Sequence, residues 1–235
     1  MSSFDAVVSA IPAAEDDTRT ALDVLSRKKG AESRAADEVA EATLRCRYRY
    51  NPGLGWLEWD GRRWNNDETV GERVSEAIRH YMDSVERDYR AKAAEGSVAA
   101  AAVFAQIKTR LPESALLDRD GKSIPPANLV GKHATQDEKT AYEAALGDGN
   151  EATTQADIWL NLLIAARIAA VTWICRGMDG ILTRSAAFDA HPDLLNCRNC
   201  VVDLRDKSTQ PHDPDLLITH PVSYTHLTLP TNREV

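Results

Sequence analysis

Two cysteines near the carboxyl end, Cys197 and Cys200, have the spacing of one half of a zinc site. A four-coordinate zinc ion needs two further nitrogen or sulfur ligands. The histidines that flank the pair, His191, His212 and His220, do not stand at a ligand-like spacing from it. The alternative is a pair of small residues in a turn before a strand, and the sequence favours this turn over a metal site.

The run Gly121-Lys122-Ser123 has the residue types that end a phosphate-binding loop. Such a loop needs an earlier glycine so that backbone N–H groups can surround the phosphate, and Leu116 occupies that position here. A solvated turn is therefore predicted, and no cofactor site is expected in this chain. No Ser/His/Asp, Cys/His or paired-carboxylate arrangement stands out either, so no catalytic residue is predicted.

One cluster of basic and aromatic residues stands out in an otherwise acidic chain. Its candidate nucleic-acid contacts are Arg45, Arg47, Arg49, Arg62, Arg63 and Trp64. Arginines commonly hold the backbone of single-stranded nucleic acid while aromatic rings stack on its bases, so the cluster predicts a local DNA contact. In the alternative interpretation, the aromatic rings are the core of a small sheet and the arginines are its solvated face.

The elements that would position this cluster follow from the spacing of the apolar residues. In residues 44–50, apolar and aromatic side chains alternate with arginines, which is the period of a β-strand. Further strands are predicted over residues 56–59 and from residue 62, with turns at 51–53 and at Asp60-Gly61. The sequence thus predicts a small antiparallel meander.

Helices are predicted for most of the remaining chain. Apolar residues at helical spacing favour helices over residues 18–27, 67–92, 99–111, 154–176 and 183–190. A strand is predicted near residues 201–204, where the apolar residues are Val201, Val202 and Leu204. Residues 112–150 are predicted to be loop or an inserted segment, with room for a short helix at 138–146. The expected fold is mainly α with a small antiparallel β meander (α+β), in which residues 1–40 are a polar helical lead-in and residues 41–221 form the domain.

Composition limits the compartment and the partners. A net charge of −8 argues against a protein that coats nucleic acid over its whole surface, because phosphate binding needs clustered Lys and Arg. The four cysteines form no secreted-type disulfide framework, and the first residues lack the basic and apolar parts of a signal peptide. We therefore expect a cytoplasmic protein.

Residues 156–175 raise the question of a membrane helix, since most of them are apolar. Asn161 and Arg167 interrupt the stretch. An arginine near the centre of a span costs roughly 2.5–3.5 kcal/mol on insertion scales, and the sequence has no second span to pair with it. The sequence favours a buried core helix and no membrane partner, with a membrane-associated protein as the alternative.

Two segments carry a resemblance to a known family. Residues 56–64 read WLEWDGRRW and resemble the tryptophan-rich hairpin near the start of the non-motor domain of phage and plasmid primase-helicases. These are superfamily 3 helicases, related to the poxvirus primase-helicase. Residues 189–219, here called the closing segment, resemble the stretch that ends this domain. The family pattern of Leu-Leu-Asn, Asn-Gly, apolar-Asp-Leu-Arg and Pro-His-Asp-Pro is matched by residues 194–196, 199, 202–205 and 211–214.

The resemblance covers roughly residues 45–219 and implies a helical domain with a little sheet that precedes an ATPase motor. It implies DNA as a partner of the intact protein, a homo-oligomeric ring, and ATP with Mg²⁺ at the motor. The motor's phosphate-gripping loop and acidic metal ligands have no match here, so no such residue is carried over and this part alone is not expected to be an enzyme. Cys200 stands where the family usually has Gly, which predicts strain if that turn needs a positive φ. The alternative function is a stand-alone DNA-binding or protein-interaction module of mobile-element origin.

The last residues suggest a different origin from the rest. Residues 222–231, VSYTHLTLPT, resemble the translation of a transposase adapter used in making sequencing libraries. A natural β-strand is the alternative, because the Thr and Leu alternation would suit one. We expect residues 222–235 to be a non-native tail, and the chain to be a truncated N-terminal part of a primase-helicase that lacks its motor.

Overall fold

The computed structural model describes residues 30–221, so the helix predicted over 18–27 and the expected tail at 222–235 lie outside the described residues. The helices are α1 Ala31–Val39, α2 Val70–Thr109, α3 Pro126–His133, α4 Gln136–Leu162 and α5 Ala165–Cys175. The strands are β1 Tyr48–Asn51, β2 Gly55–Trp59, β3 Trp64–Asn65, β4 Leu194–Asn196, β5 Val201–Asp203 and β6 Thr209–Gln210. A π-helical turn covers Ala40–Leu44, and short 3-10 turns lie at Glu113–Ala115, Ser185–Ala187 and Pro214–Leu216.

The predicted mainly α fold with an antiparallel meander is confirmed. Strands β1, β2 and β3 pair in that order as the first sheet, with Tyr50 opposite Trp56 and Trp59 opposite Trp64. Strands β4, β5 and β6 form a second antiparallel sheet, in which Val202 pairs with Leu195 on one side and with Thr209 on the other. The closing segment therefore contains a meander of its own.

The first strand starts later than its alternating sequence predicts. The chain is still helical up to Leu44, where the Arg45 N–H donates to the Ala40 carbonyl at 3.0 Å, and the strand begins only at Tyr48. Arg45 and Arg47 therefore precede the strand, and the predicted row of arginines on one strand face is wrong. Alternation over a few residues cannot exclude a helical start, since the same residues can satisfy either period.

Helix α2 is one continuous helix of 40 residues where two helices were predicted. Its first half buries Val70, Val74, Ile78 and Met82 on one face. The predicted gap at residues 93–98 contains Gly96, and the helix continues through it. Because Gly96 has no side chain, α2 can pack closely against α4 at Gly149, and this packing stabilises the helix there. Tertiary packing thus overrides the poor helix propensity of glycine.

The segment 112–150, predicted as loop or insertion with room for a short helix at 138–146, is largely helical, so the loop assignment is wrong. Helix α3 and the first half of α4 lie within it. Helix α4 begins with a capping box: the Glu138 N–H donates to Thr135 Oγ1 at 3.3 Å, and the Thr135 N–H donates to the Glu138 carboxylate at 2.9 Å. A Thr followed three residues later by Glu is a sequence signal for the start of a helix, and it was overlooked because the segment is otherwise polar.

The apolar run predicted as one helix over 154–176 divides at Leu163-Ile164 into α4 and α5, which are bent by 86°. Within residues 30–221, no single helix is long and apolar enough to cross a membrane; these two meet the length and composition criteria only as a bent pair. The helix predicted over 183–190 is a single 3-10 turn.

The main core lies where α1, the first half of α2, the end of α4 and α5 meet the first sheet. Leu44, Tyr48, Ile78 and Leu162 are among its most deeply buried side chains. A smaller cluster of Leu57, Trp64 and Phe188 joins the first sheet to the chain before the second sheet. Burial of these side chains fixes the position of the first sheet, which carries most of the candidate nucleic-acid residues.

Candidate nucleic-acid interface

The aromatic residues of the predicted DNA contact belong mainly to the protein core. Trp64 is only 1% exposed, and its indole N–H donates to the Pro214 carbonyl at 2.8 Å. Tyr48 and Trp56 are also buried. A ring held in this way cannot stack on a base, so the structure does not present Trp64 as a nucleic-acid contact. These rings form the core of the small sheet, as in the alternative interpretation.

Arg47 belongs to an ion-pair network on the first sheet. Its guanidinium lies 2.7 Å from one oxygen of Glu58, and Arg73 of α2 lies 2.6 Å from the other. Arg73 also pairs with Asp67 at 2.9 Å, and these hydrogen bonds, together with those from Thr69, hold the pKa of the Asp67 carboxyl well below its usual range. The Glu58 side chain is nearly buried, so the network joins the sheet to the start of α2.

Arg45 and Arg49 also have partners within the chain. Arg45 pairs with Glu41 one helical turn earlier. Arg49 donates to the carbonyl groups of Tyr48, at 3.1 Å, and Arg45, and its guanidinium lies 4.8 Å from the centre of the Trp64 ring. Burial lowers the pKa of Arg49 from its ordinary value. These contacts make Arg49 a packing residue of the first sheet.

The hairpin turn between β2 and β3 carries the other two candidate arginines. Arg63 lies 3.4 Å from the carboxylate of Asp60, in an exposed pair that holds it only weakly. Arg62 is exposed, and its side chain has no partner among residues 30–221. Of the six predicted contacts, the structure therefore leaves Arg62, with Arg63 beside it, in the best position to meet a phosphate.

The first sheet contacts the closing segment directly, and we call this contact the junction. The Trp64 backbone N–H donates to the Ile218 carbonyl at 2.9 Å, beside the bond from the Trp64 indole to Pro214. The Asn196 side chain donates to the Arg62 carbonyl at 3.1 Å. The two segments that resemble the primase-helicase family are thus partners in space, although more than a hundred residues separate them.

Asn51 ties the first sheet to the chain just before the closing segment, and the sequence analysis treated it only as part of a turn. It is fully buried and donates to the Thr183 carbonyl at 2.8 Å and to the Ser185 hydroxyl at 3.0 Å. Its side-chain oxygen accepts from the N–H groups of Gly53 and Leu54, which closes the turn into β2. Asn before Pro-Gly was the available signal, because an Asn side chain commonly bonds to the backbone two residues later.

The two features first considered for chemistry are turns, as predicted. The Cys197 N–H donates to the Cys200 carbonyl at 2.9 Å, and the Cys197 carbonyl lies 2.9 Å from His212 Nε2. Residues 118–122 form a tight turn in which Gly121 has a φ of 75°. In the described part of the chain, no group of three or more His, Cys, Asp or Glu side chains is arranged to hold a metal ion.

The strain predicted at Cys200 is not present. Among the described residues other than glycine, a positive φ occurs only at Asp189, Lys207 and Leu217. Cys200 thus replaces the family's glycine without adopting a left-handed backbone.

Comparison with known proteins supplies one match. No curated protein and no solved structure matches the chain. The model of a family described as D5 N terminal like matches residues 36–231, which include the first sheet, all five helices except the start of α1, and the closing segment. The match runs ten residues beyond Pro221, into the expected non-native tail, and the adapter origin of that tail stays a prediction. The chain therefore belongs to the D5 N-terminal-like family, the N-terminal domain of D5-like primase-helicases.

Proposed function

We propose that this chain is the N-terminal, non-motor part of a superfamily 3 helicase that replicates phage or plasmid DNA in the cytoplasm of a bacterial host cell. The intact protein then carries an ATPase motor after residue 221, which binds ATP and Mg²⁺ and assembles as a homo-oligomeric ring. The observation that carries the proposal is the junction, because the two family-like segments are bonded to each other as one folded unit.

The junction suggests a mechanical role for the domain. The closing segment is held by hydrogen bonds from the Trp64 indole and backbone, and by Leu217, which packs against the small cluster that Trp64 forms with Leu57 and Phe188. A chain that continues beyond Pro221 would leave from this held segment, so a following motor would be attached to the domain through a well-packed unit. Movement of the motor would then be passed to the first sheet.

An enzymatic assay tests this proposal. The protein translated from the source DNA to its natural stop codon should hydrolyse ATP in the presence of Mg²⁺, and residues 1–221 alone should not. The matched control is the longer protein in which the lysine of the motor's phosphate-binding loop is replaced by alanine. Absence of ATP hydrolysis by the longer protein, or equal hydrolysis by residues 1–221, would contradict the proposal.

We further propose that the intact protein touches DNA through the hairpin turn between β2 and β3. Arg62 is exposed and has no side-chain partner in the region 30–221, and Arg63 has only a weak exposed one. Replacing both with alanine should weaken binding of single-stranded DNA and reduce the slope of log affinity against log salt by about 1 to 2.

The matched control for this change is Arg87→Ala together with Arg79→Ala on α2, which removes the same charge away from the hairpin. Binding is measured by fluorescence anisotropy across a salt series. An equal loss of affinity for single-stranded DNA in both double variants would show a general charge effect and would contradict the proposed contact.

A further inference from the structure

A cavity of about 480 Å³ lies beside the hairpin turn between β2 and β3. Its walls come from the turn before β2, the chain just after β3, the 3-10 turn Ser185–Ala187 and both ends of the closing segment. Arg63 lines the cavity, so this arginine belongs both to the proposed DNA contact and to the cavity wall. The volume is typical of pockets that hold small organic groups.

Part of the cavity wall is apolar and rigid. Leu57 and Phe188 line it and are buried in the small cluster with Trp64, so the core fixes their positions. Leu54 also lines the cavity and is 44% exposed. A flat apolar group can therefore cover this wall without disturbing the packing behind it.

Polar groups with free hydrogen-bonding capacity complete the wall. The Asn66 side chain is exposed and forms no hydrogen bond with residues 30–221, so its amide can donate and accept at once. The Arg63 guanidinium reaches Asp60 only through Nε, at 3.4 Å. Its two terminal amino groups donate to no residue in the described part of the chain, and they remain available to a ligand.

The closing segment holds the ring of His220 at the same cavity. Asp189 accepts hydrogen bonds from the N–H of Thr219, at 2.8 Å, and from its hydroxyl, and the Asp189 carboxylate lies 3.2 Å from His220 Nδ1. Because the Thr219 hydroxyl donates to Asp189, both oxygens near Nδ1 accept from it, which places a ring proton on Nδ1. The His220 side chain is 87% exposed, so the held ring presents a face to solvent.

A nucleobase combines the properties that these groups require. Its faces are flat and apolar, and its edge carries both donors and acceptors. Unpaired bases stack on aromatic rings that include His, and an Asn amide can form two hydrogen bonds with the edge of one base. A simple anion would use the arginine alone and would leave the apolar wall uncovered.

We propose that the cavity binds one unpaired base of a DNA strand whose phosphates lie on Arg62 and Arg63. The base packs against Leu54 and the His220 ring, and its edge is hydrogen-bonded to the Asn66 amide. A base within a duplex is stacked on both sides and paired at its edge, so it cannot enter. The proposal rests on the DNA contact proposed above for the hairpin turn and adds the base as the group that is recognised.

Fluorescence anisotropy of the full chain with two labelled single strands of equal length tests this proposal. One strand carries bases, and the other has the same phosphates on base-free sugars throughout. The base-carrying strand should bind about tenfold more tightly, which is the effect expected of one bound base. Both strands carry the same charge, so phosphate contacts cannot produce this difference.

A variant of the cavity assigns the difference to this site. Asn66→Ala should weaken binding of the base-carrying strand about three- to tenfold, as expected for lost hydrogen bonds, and should leave the base-free strand unchanged. Asn128→Ala, at an exposed position on α3, is the matched control and should change neither affinity. Replacing Arg62 and Arg63 together with alanine should weaken binding of both strands, because phosphate contacts are lost.

The outcomes separate the base site from the DNA contact on which it rests. Equal affinity for the two strands, with both still weakened by the double arginine variant, would overturn the base site and keep the contact. Unchanged binding in the double arginine variant would contradict the contact itself and the base site with it. Displacement of the strand by an equal concentration of free dAMP would identify a free nucleotide as the ligand and would also overturn the proposal.

Discussion

Trp64 joins parts of the chain that are distant in sequence. Its ring is buried with Leu57 and Phe188, its indole N–H donates to Pro214, and Arg49 lies over one face of the ring. A single side chain thus connects the first sheet to the closing segment by packing, a hydrogen bond and a cation–π contact. Its position in the WLEWDGRRW segment follows from this structural role.

Replacing Trp64 tests how much the junction contributes to stability. Trp64→Ala should lower the free energy of unfolding by about 3–5 kcal/mol, because a large buried ring is lost. Trp64→Phe should cost less, since it keeps much of the packing and loses the hydrogen bond, which contributes about 1 kcal/mol. Urea denaturation measures both, with Leu204→Ala, at a 54% exposed position, as the control. A Trp64→Ala variant as stable as this control would contradict the junction.

Cys175 gives the chain a predictable response to alkaline pH. Its burial between α1 and α5 raises the pKa of the thiol to about 12 from an ordinary value of 9.0. Between these values the folded state keeps a proton that the unfolded state has lost, so stability falls as the pH rises through this window. Relative to Cys175→Ala, the wild-type chain should lose about 1 kcal/mol of unfolding free energy per pH unit above pH 9.

Urea denaturation at pH 7, 9 and 10 checks this difference, and Cys46→Ala, at an exposed position, is the control. Parallel pH profiles for the wild-type and Cys175→Ala proteins would show that the thiol ionises as easily in the folded state as in the unfolded one.

At the scale of elements, the contact between α2 and α4 depends on two glycines. A Cβ added at Gly96 would lie 2.8 Å from the Ala145 carbonyl oxygen and 2.8 Å from the Gly149 Cα, both of which are backbone atoms. Backbone cannot move aside as a flexible side chain can. The close approach of the two longest helices therefore requires glycine at position 96.

Gly96→Ala should therefore destabilise the chain by about 1–3 kcal/mol through overpacking, although alanine is the better helix former. Gly147→Ala is the matched control on α4, where an added Cβ meets nothing within 4 Å. It should raise stability by about 0.5–1 kcal/mol. Thermal or urea unfolding compares the two variants, and a stabilising Gly96→Ala would show that the helices can separate at little cost.

The sequence predicts the elements that local patterns determine, and it fails where tertiary contacts decide. The meander was predictable because Asn51-Pro52-Gly53 and Asp60-Gly61 fix its turns, and the face of α2 from Val70 to Met82 follows its apolar period. The break between α4 and α5 was not, because apolar residues continue through Leu163-Ile164. Polar composition also obscured the start and length of α4: the sequence left room only for a short helix at 138–146, and the capping box at Thr135 marks where the helix begins.

The candidate site was less predictable than the fold, because the sequence shows charges and not their partners. Arg47 and Arg49 were expected on a free basic face, yet Glu58 pairs with one and Trp64 packs against the other. Arg62 differs from them, because it lies in the tight turn that Asp60-Gly61 predicts and is exposed there.

At the scale of the whole molecule, the helices and the first sheet share one core, and the closing segment is bonded to the far side of that sheet. The polypeptide thus begins and ends its described part at different surfaces: Gly30 enters beside α5, and Pro221 follows the junction. In our proposal the junction is the point at which a motor is attached.

Sequencing the source DNA across the codon for Pro221 tests this central claim most directly. We predict that the natural frame departs from VSYTHLTLPTNREV and continues into a Gly-x-x-x-x-Gly-Lys-Ser/Thr motif, which would identify the motor of a primase-helicase. If the genome instead encodes that tail followed by a stop codon, the adapter origin and the truncated helicase are both contradicted. The chain would then be a motorless member of its family.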